Sequence, residues 1–197
     1  MARLVSANVG RPREIGSIKG RRVHSGIYKK PIDGPVKIGR LNLEGDEQAD
    51  LTVHGGVNKA VYVYPSEHYS YWKGMFHAMS MPWGTFGENF TTEGLLEDSV
   101  MVADRLKVGS AEFEVTQPRL PCYKLGMRFG TNRILKLFLE SGRTGFYLRV
   151  VREGECNPGD YISVIPCGRP SRTIASIVNS YKKNSEDEPP PTMETSS

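Results

Sequence analysis

Cysteine is scarce in this chain: 197 residues contain three, Cys122, Cys156 and Cys167. The odd count and the lack of a Cys-x-x-Cys spacing argue against a disulfide-stapled scaffold and against a zinc site. Long apolar runs are lacking too. No segment approaches the ~20 apolar residues of a membrane span, and the opening Met1-Ala2-Arg3-Leu4-Val5-Ser6 has no apolar stretch of the kind a secretory signal needs. No membrane association is expected, and the chain is read as cytoplasmic, with its thiols reduced. There is no P-loop or Gly-x-Gly-x-x-Gly fingerprint, no arrangement of Ser, His and Asp that suggests a triad, and no pairing of His24, His68 and His77 at metal-ligand spacing. Excess charge is slight. The 26 basic and 22 acidic side chains leave a formal +4, spread from end to end, so no nucleic-acid partner is expected, although the balance suits an anionic ligand.

What is present is turn-forming residues, 21 glycines and 13 prolines, which favour a turn-rich fold over a helical bundle. With 38% hydrophobic residues the bulk of the chain has enough apolar content to fold as one domain. Short segments rich in Val, Ile, Tyr and Phe recur between turns: Leu4 to Asn8, Val23 to Tyr28, Val36 to Leu41, Ala60 to Tyr64, Ala111 to Thr116, Phe146 to Val151 and Tyr161 to Ile165. Ala111 to Thr116 alternates apolar and polar residues, the mark of a half-buried strand. Many short strands at this spacing predict a mostly β fold, a barrel or sandwich. Two helices are expected between them. One opens at Pro65 and runs to about Phe76, and the other runs from an N-capping Thr131 to Glu140 with Ile134, Leu135, Phe138 and Leu139 as its apolar stripe. The domain is drawn over residues 1–181. Residues 182–197 read Lys-Lys-Asn-Ser-Glu-Asp-Glu-Pro-Pro-Pro and onward, with almost nothing to bury, and are expected to form a disordered tail.

Three stretches carry residues that could do chemistry. In Thr116-Gln117-Pro118-Arg119-Leu120-Pro121-Cys122-Tyr123-Lys124-Leu125, two prolines bracket an arginine directly before a cysteine. Proline fixes φ and restricts the residue before it, so the loop is stiff and suited to holding a reactive thiol. Arg119 and Lys124, if close in space, would favour the thiolate. A small buried structural cysteine beside turn prolines fits the same residues. In Val53-His54-Gly55-Gly56-Val57-Asn58-Lys59, the paired glycines permit close approach of a ligand, and His54 and Lys59 could hold a phosphate or an anionic ring system; an ordinary hairpin loop with exposed polar groups fits these residues slightly better. In Phe86-Gly87-Glu88-Asn89-Phe90, two polar side chains sit among aromatics, either as internal hydrogen-bonders or as pocket lining. Cys156 and Cys167, in turn-rich surroundings, are read as structural or exposed.

Together these stretches resemble the MOSC family, named for the C-terminal domain of molybdenum-cofactor sulfurases. The resembling residues are Asn8-Val9-Gly10, Leu43-Glu44-Gly45-Asp46, Val53-His54-Gly55-Gly56, Tyr64-Pro65, Phe86-Gly87-Glu88-Asn89, Gln117-Pro118-Arg119, Pro121-Cys122-Tyr123-Lys124-Leu125 and Gly145-Phe146-Tyr147, in that order over about residues 4–166. The match is to the stand-alone branch, which includes reductases of N-hydroxylated purine bases. The resemblance implies a MOSC-type β-barrel with a few flanking helices, and the molybdenum cofactor (molybdopterin) as ligand. Cys122 would be the metal ligand and catalytic residue, with His54, Gly55, Gly56, Lys59, Glu88, Asn89, Gln117, Arg119 and Lys124 around the cofactor. It implies reduction of a small N-hydroxylated substrate by N–O cleavage, with electrons from an external donor protein because the chain has no flavin or iron–sulfur motif. The alternative implied role is a sulfur carrier holding a persulfide on Cys122. Relatives that act as reductases can carry a further helical C-terminal domain where this chain has its polar tail.

Overall fold

The computed structural model describes residues 1–48 and 55–187, with side chains as far as residue 183. The first strands are β1 (Ala2–Val9), β2 (Arg13–Ile18), β3 (Arg21–Ser25), β4 (Lys30–Pro31) and β5 (Val36–Ile38). A single 3-10 turn at Val57–Lys59 leads into β6 (Val61–Pro65), α1 (His68–Met75), β7 (Phe90–Glu93), β8 (Arg105–Val108) and β9 (Ala111–Pro118). Then follow α2 (Tyr123–Phe129), α3 (Arg133–Ser141), β10 (Phe146–Arg152), β11 (Gly154–Cys156), β12 (Tyr161–Ile165) and α4 (Ile174–Asp187).

Seven strands close a barrel in the order β12-β8-β9-β10-β6-β7-β1, with β1 pairing back to β12 through Ala2 opposite Ile162. Every pairing around it is antiparallel except β6 with β7, where α1 makes the crossover that parallel strands require. β4 adds to β1 outside the ring, while β2–β3 and β5–β11 form separate two-stranded ribbons.

The alternation of β9 sets its orientation. Ala111, Phe113 and Val115 are buried in the barrel, and Glu112 and Glu114 turn outward to pair with Arg152, Arg149 and Arg105 on the flanking strands. β6 differs because both its faces are covered. Val61 and Val63 join the barrel core, whereas Tyr62 and Tyr64 enter a second, aromatic core beneath α1, α2 and α3 with Trp72, Phe86, Phe129 and Phe138. There Phe86 stacks on Tyr64 at 4.3 Å between ring centres, and the Trp72 indole N–H donates to the Tyr64 hydroxyl at 2.6 Å. A run of five buried residues, Val-Tyr-Val-Tyr-Pro, is what such a strand needs.

The helices differ from the sequence expectation in number and in their starts. The described residues contain four. Pro65 is not the first helical residue. It completes β6 opposite Thr92, the Ser66 N–H still donates to the Thr92 carbonyl at 2.7 Å, and the helix begins only after that ladder ends. The cap of α3 is Asn132, and Thr131 Oγ1 instead accepts from the Arg133 N–H at 3.3 Å. α2 is seven residues long with a glycine inside it, too short for a periodic stripe. Gly126 is needed there, since a Cβ would lie 2.5 Å from Asn132 Oδ1. Of its described side chains α4 puts Ile174 and Val178 into the barrel core, and it runs past the boundary drawn at residue 182 as far as Asp187. No described helix is long and apolar enough to cross a membrane.

Candidate functional site

β9 hands the chain to the stiff loop that carries the cysteine. Arg119 leaves the barrel with its N–H donating to the Gly145 carbonyl at 3.3 Å. Gly145 lies so close to β6 that a Cβ would sit 2.2 Å from the Val63 carbonyl oxygen, and its φ of 63° is one that glycine adopts without cost. Two prolyl-restricted steps later, Cys122 caps α2 in an extended conformation, and its carbonyl accepts the Leu125 N–H at 2.8 Å. The thiol is neither sealed nor fully exposed.

Cys122 lies on the wall of a cleft of about 120 Å³, whose other sides come from the segment after β3 (Gly26, Ile27), from Asp46 to Gln48, and from β6 and β10 through Tyr62 and Tyr147. Among the described residues four cations line it, Lys29, Lys59, Arg119 and Lys124, against two carboxylates, Asp46 and Glu47. The field inside is therefore positive.

Two of these cations are buried with fewer partners, among the described residues, than burial normally requires. Arg119 is 6% exposed, with its guanidinium 5.0 Å from the Tyr62 ring centre and 5.3 Å from that of Phe138. Its Nη1 has no hydrogen-bond partner. Burial opposes its charge, but Tyr62, Tyr147 and Cys122, which are negative once ionised at the high pH where arginine titrates, and a hydrogen bond with Tyr147 outweigh this and raise its pKa above the usual arginine value, so it stays charged. Lys124 is 7% exposed, and its ammonium has no hydrogen-bond acceptor or carboxylate partner among the described residues. A buried donor left unpaired costs about 1–3 kcal/mol, more when charged. Such groups on a cleft wall fit an anionic ligand that completes them.

A polar knot supports the opposite wall. The Asp46 carboxylate accepts from the Gly10 N–H at 2.8 Å, from Asn89 Nδ2 at 2.8 Å and from the Lys29 ammonium. Asn89 Oδ1 in turn accepts the Tyr62 N–H at 3.1 Å, which ties the cleft to β6. Burial lowers the pKa of Lys29, and the charge and hydrogen bond of Asp46 oppose that. Burial raises the pKa of both Tyr62 and Tyr147, so the phenols stay neutral.

Of the residues expected around the cofactor, Lys59, Asn89, Arg119, Cys122 and Lys124 line the cleft together. Lys59 Nζ lies 6.0 Å from the Tyr147 ring centre. Gly55 and Gly56 are not on the wall, although the Gly56 N–H donates to Oε1 of wall residue Gln48 at 2.8 Å. Gln117 sits in the ladder opposite Tyr147 rather than on the wall. Glu88 is beneath it. Fully buried, its carboxyl accepts the Gly84 N–H at 2.7 Å, the Phe86 N–H at 3.1 Å, Thr91 Oγ1 at 3.0 Å and the Tyr69 hydroxyl, and it shapes the loop that carries Asn89. His54 lies outside the described residues. Lys29, Tyr62 and Tyr147 were missed. Nothing in the doublet Lys29-Lys30 marks which lysine turns inward, but Asp46 in the resembling Leu43-Glu44-Gly45-Asp46 was an available signal for a buried partner.

A family model described as the MOSC domain matches residues 50–163, more than half of the chain. The chain is a MOSC-domain protein. Its β-barrel with flanking helices is the MOSC fold: a crystal structure of YiiM from Geobacillus stearothermophilus superposes with a TM-score of 0.76 at 35% identity, covering 93% of this chain and 85% of that one. The uncharacterized protein YflK of Bacillus subtilis is 40% identical over 84% of this chain and 74% of its own length. A Gibberella moniliformis protein named Reductase is 34% identical over 88% of this chain, a region that makes up 31% of the fungal protein. MOSC domains as a family are associated with the molybdenum cofactor. Among the described residues of this MOSC domain, no group of three or more His, Cys, Asp or Glu side chains is placed to hold a metal by itself. A metal held here would need donors besides Cys122, and a dithiolene cofactor brings its own.

Proposed function

We propose that this MOSC protein binds the molybdenum cofactor in the cleft, with the Cys122 sulfur as its protein ligand, and reduces the N–O bond of small N-hydroxylated molecules. The observation that carries the reading is a pair of buried cations in the same cleft as the Cys122 thiol, Arg119 with its Nη1 unpaired and Lys124 with no acceptor among the described residues. A phosphorylated, anionic dithiolene ligand suits them: its negative oxygens and sulfurs supply the charge-assisted contacts these groups lack. When bound, the cofactor supplies a two-electron redox centre. The protein's share is placement and electrostatics. Cys122 offers a soft thiolate of the kind that suits such a metal. Arg119 and Lys124 favour every negative charge brought next to it, and Asn89, held by Asp46, keeps the facing wall in position. In the reaction the N–O bond breaks, the nitrogen takes up a proton, the oxygen leaves as water, and two electrons and two protons come from outside the chain. The name of the Gibberella relative, Reductase, supports the reaction class.

The test is single-turnover reduction of an N-hydroxylated purine by dithionite-reduced protein, freed of excess reductant, produced in a cofactor-competent host. Wild-type protein is expected to release the amine, and Cys122→Ser to lose at least 100-fold in rate while keeping its fold, since the change is nearly isosteric. A Cys122→Ser protein with the wild-type rate would overturn the proposal.

A further inference from the structure

A second hollow adjoins the cleft, and consecutive residues divide between the two. Ser25 and Gly26 line the cleft while Val23 and His24 line the hollow; Cys122 lines the cleft while Tyr123 lines the hollow. The outer wall is the β2–β3 hairpin, which packs closely enough on α2 that a Cβ at Gly16 would lie 2.8 Å from the Met127 methyl. Between residues 13 and 25 the hairpin carries Arg13, Lys19, Arg21 and Arg22 against Glu14 alone, a net +3 on a chain whose formal net charge is +4. Arg22 makes an exposed 3.4 Å contact with Glu14, and Lys19 and Arg21 have no carboxylate partner among the described residues. Three apolar side chains stand out at or beside this hollow, Ile18 at 42% exposure, Leu120 at 40% and Tyr123 at 44%. An aromatic and aliphatic centre with a charged rim is the composition of a protein-docking surface.

We infer that this face is the docking site of an acidic electron-carrier protein, which passes its electrons to the centre beside Cys122. The inference rests on the proposed reductase function, and it names the partner that function requires. Charge complementarity commits the face to a negatively charged protein, because a field of one sign beside the reacting centre speeds and orients encounter. The lone aromatic offers no row of rings on which successive bases of a nucleic acid could stack. The electron balance is simple: a one-electron carrier is oxidised in each of two encounters, and together these supply the two electrons of N–O cleavage.

The experiment compares two kinds of donor on the cofactor-loaded protein with an N-hydroxylated purine as substrate. The protein donors are a reduced flavodoxin and a reduced [2Fe–2S] ferredoxin, both acidic; the small donor is reduced methyl viologen. The variant is Arg21→Glu/Arg22→Glu, on exposed positions outside the cleft. Wild-type protein is expected to turn over with the viologen and with at least one carrier. The variant should keep its viologen-driven rate and lose about tenfold or more of its carrier-driven rate at low salt. The gap should close near 1 M salt, where screening acts within ~3 Å. Viologen-driven turnover with neither carrier active, or a carrier-driven rate untouched by charge reversal, overturns the inference alone. So does a single-stranded oligonucleotide that binds wild type and not the variant while the carrier-driven rate is unchanged. A cofactor-loaded wild type that turns over with none of these donors overturns the reductase reading as well.

Discussion

The Lys29 ammonium and the Asp46 carboxylate form a buried ion pair in the wall of the cleft that Cys122 lines, with side chains 8% and 3% exposed. The pair holds more than itself, since Asp46 also fixes Gly10 and Asn89. Asp46→Ala would leave a buried ammonium unpaired and two N–H donors without their acceptor, and is expected to cost about 3–5 kcal/mol. Replacing both ends, Lys29→Met with Asp46→Leu, should cost less than the two single changes summed. Denaturant unfolding of the four proteins in a double-mutant cycle measures this, and strict additivity would contradict the pairing.

Lys124 should behave in the opposite sense. A buried ammonium without a partner is a cost to the fold, so Lys124→Met, which keeps the length and loses the charge, is expected to leave stability unchanged or raise it by up to about 1 kcal/mol. The same change should weaken cofactor retention through dialysis. Equal retention by the two proteins would remove Lys124 from the site.

Much of this was legible in the sequence because the residues involved have few ways to behave. Pro118 and Pro121 constrain the loop wherever the chain goes, so Arg119, Cys122 and Lys124 meet at one wall as their spacing suggests. The alternation in β9 and the compact run Tyr161–Ile165 read directly as strands. What stayed hidden depends on tertiary context. Lys29 and Lys30 are identical in sequence terms, and only the pairing of β4 with β1 beside Asp46 buries one of them. Glu88 between aromatics reads alike whether it lines a pocket or lies under one. α4 carries apolar residues at helical spacing, Ile174, Ile177, Val178 and Tyr181, but the polar run that follows them masks where the helix ends, and of its described side chains Ile174 and Val178 reach the barrel core.

Glu88 gives the pH dependence. Burial raises its pKa, against the pull of the Tyr69, Gly84 and Thr91 donors. Between the ordinary value of 4.5 and the raised one, the folded chain keeps a proton that the unfolded chain releases, so this group's contribution to stability falls as pH rises through that window. Glu88→Gln lacks this titration. The advantage of wild type over the variant is therefore expected to be largest at acid pH and to shrink towards neutrality, measured by urea unfolding at pH 4 and pH 8. A constant difference would contradict the shift.

The cysteines should separate by alkylation. Burial pushes the Cys156 thiol up to about 12, and its side chain lies in the barrel core. Iodoacetamide at pH 8 is expected to label the partly exposed Cys122 and Cys167 and to spare Cys156, read by peptide mass spectrometry. Bound cofactor should protect Cys122 and leave Cys167 reactive. Rapid labelling of Cys156 in the folded protein would contradict its placement.

The most direct measurement is elemental and pterin analysis of protein purified gently from a host that makes the cofactor, comparing wild type with Cys122→Ser and Cys156→Ser. Wild type and Cys156→Ser are expected to carry molybdenum and pterin in equal amounts approaching one of each per chain, and Cys122→Ser to lose the metal. Wild-type protein with no molybdenum but a persulfide on Cys122, or a Cys122→Ser protein that retains the metal in full, would contradict the assignment of Cys122 as its ligand.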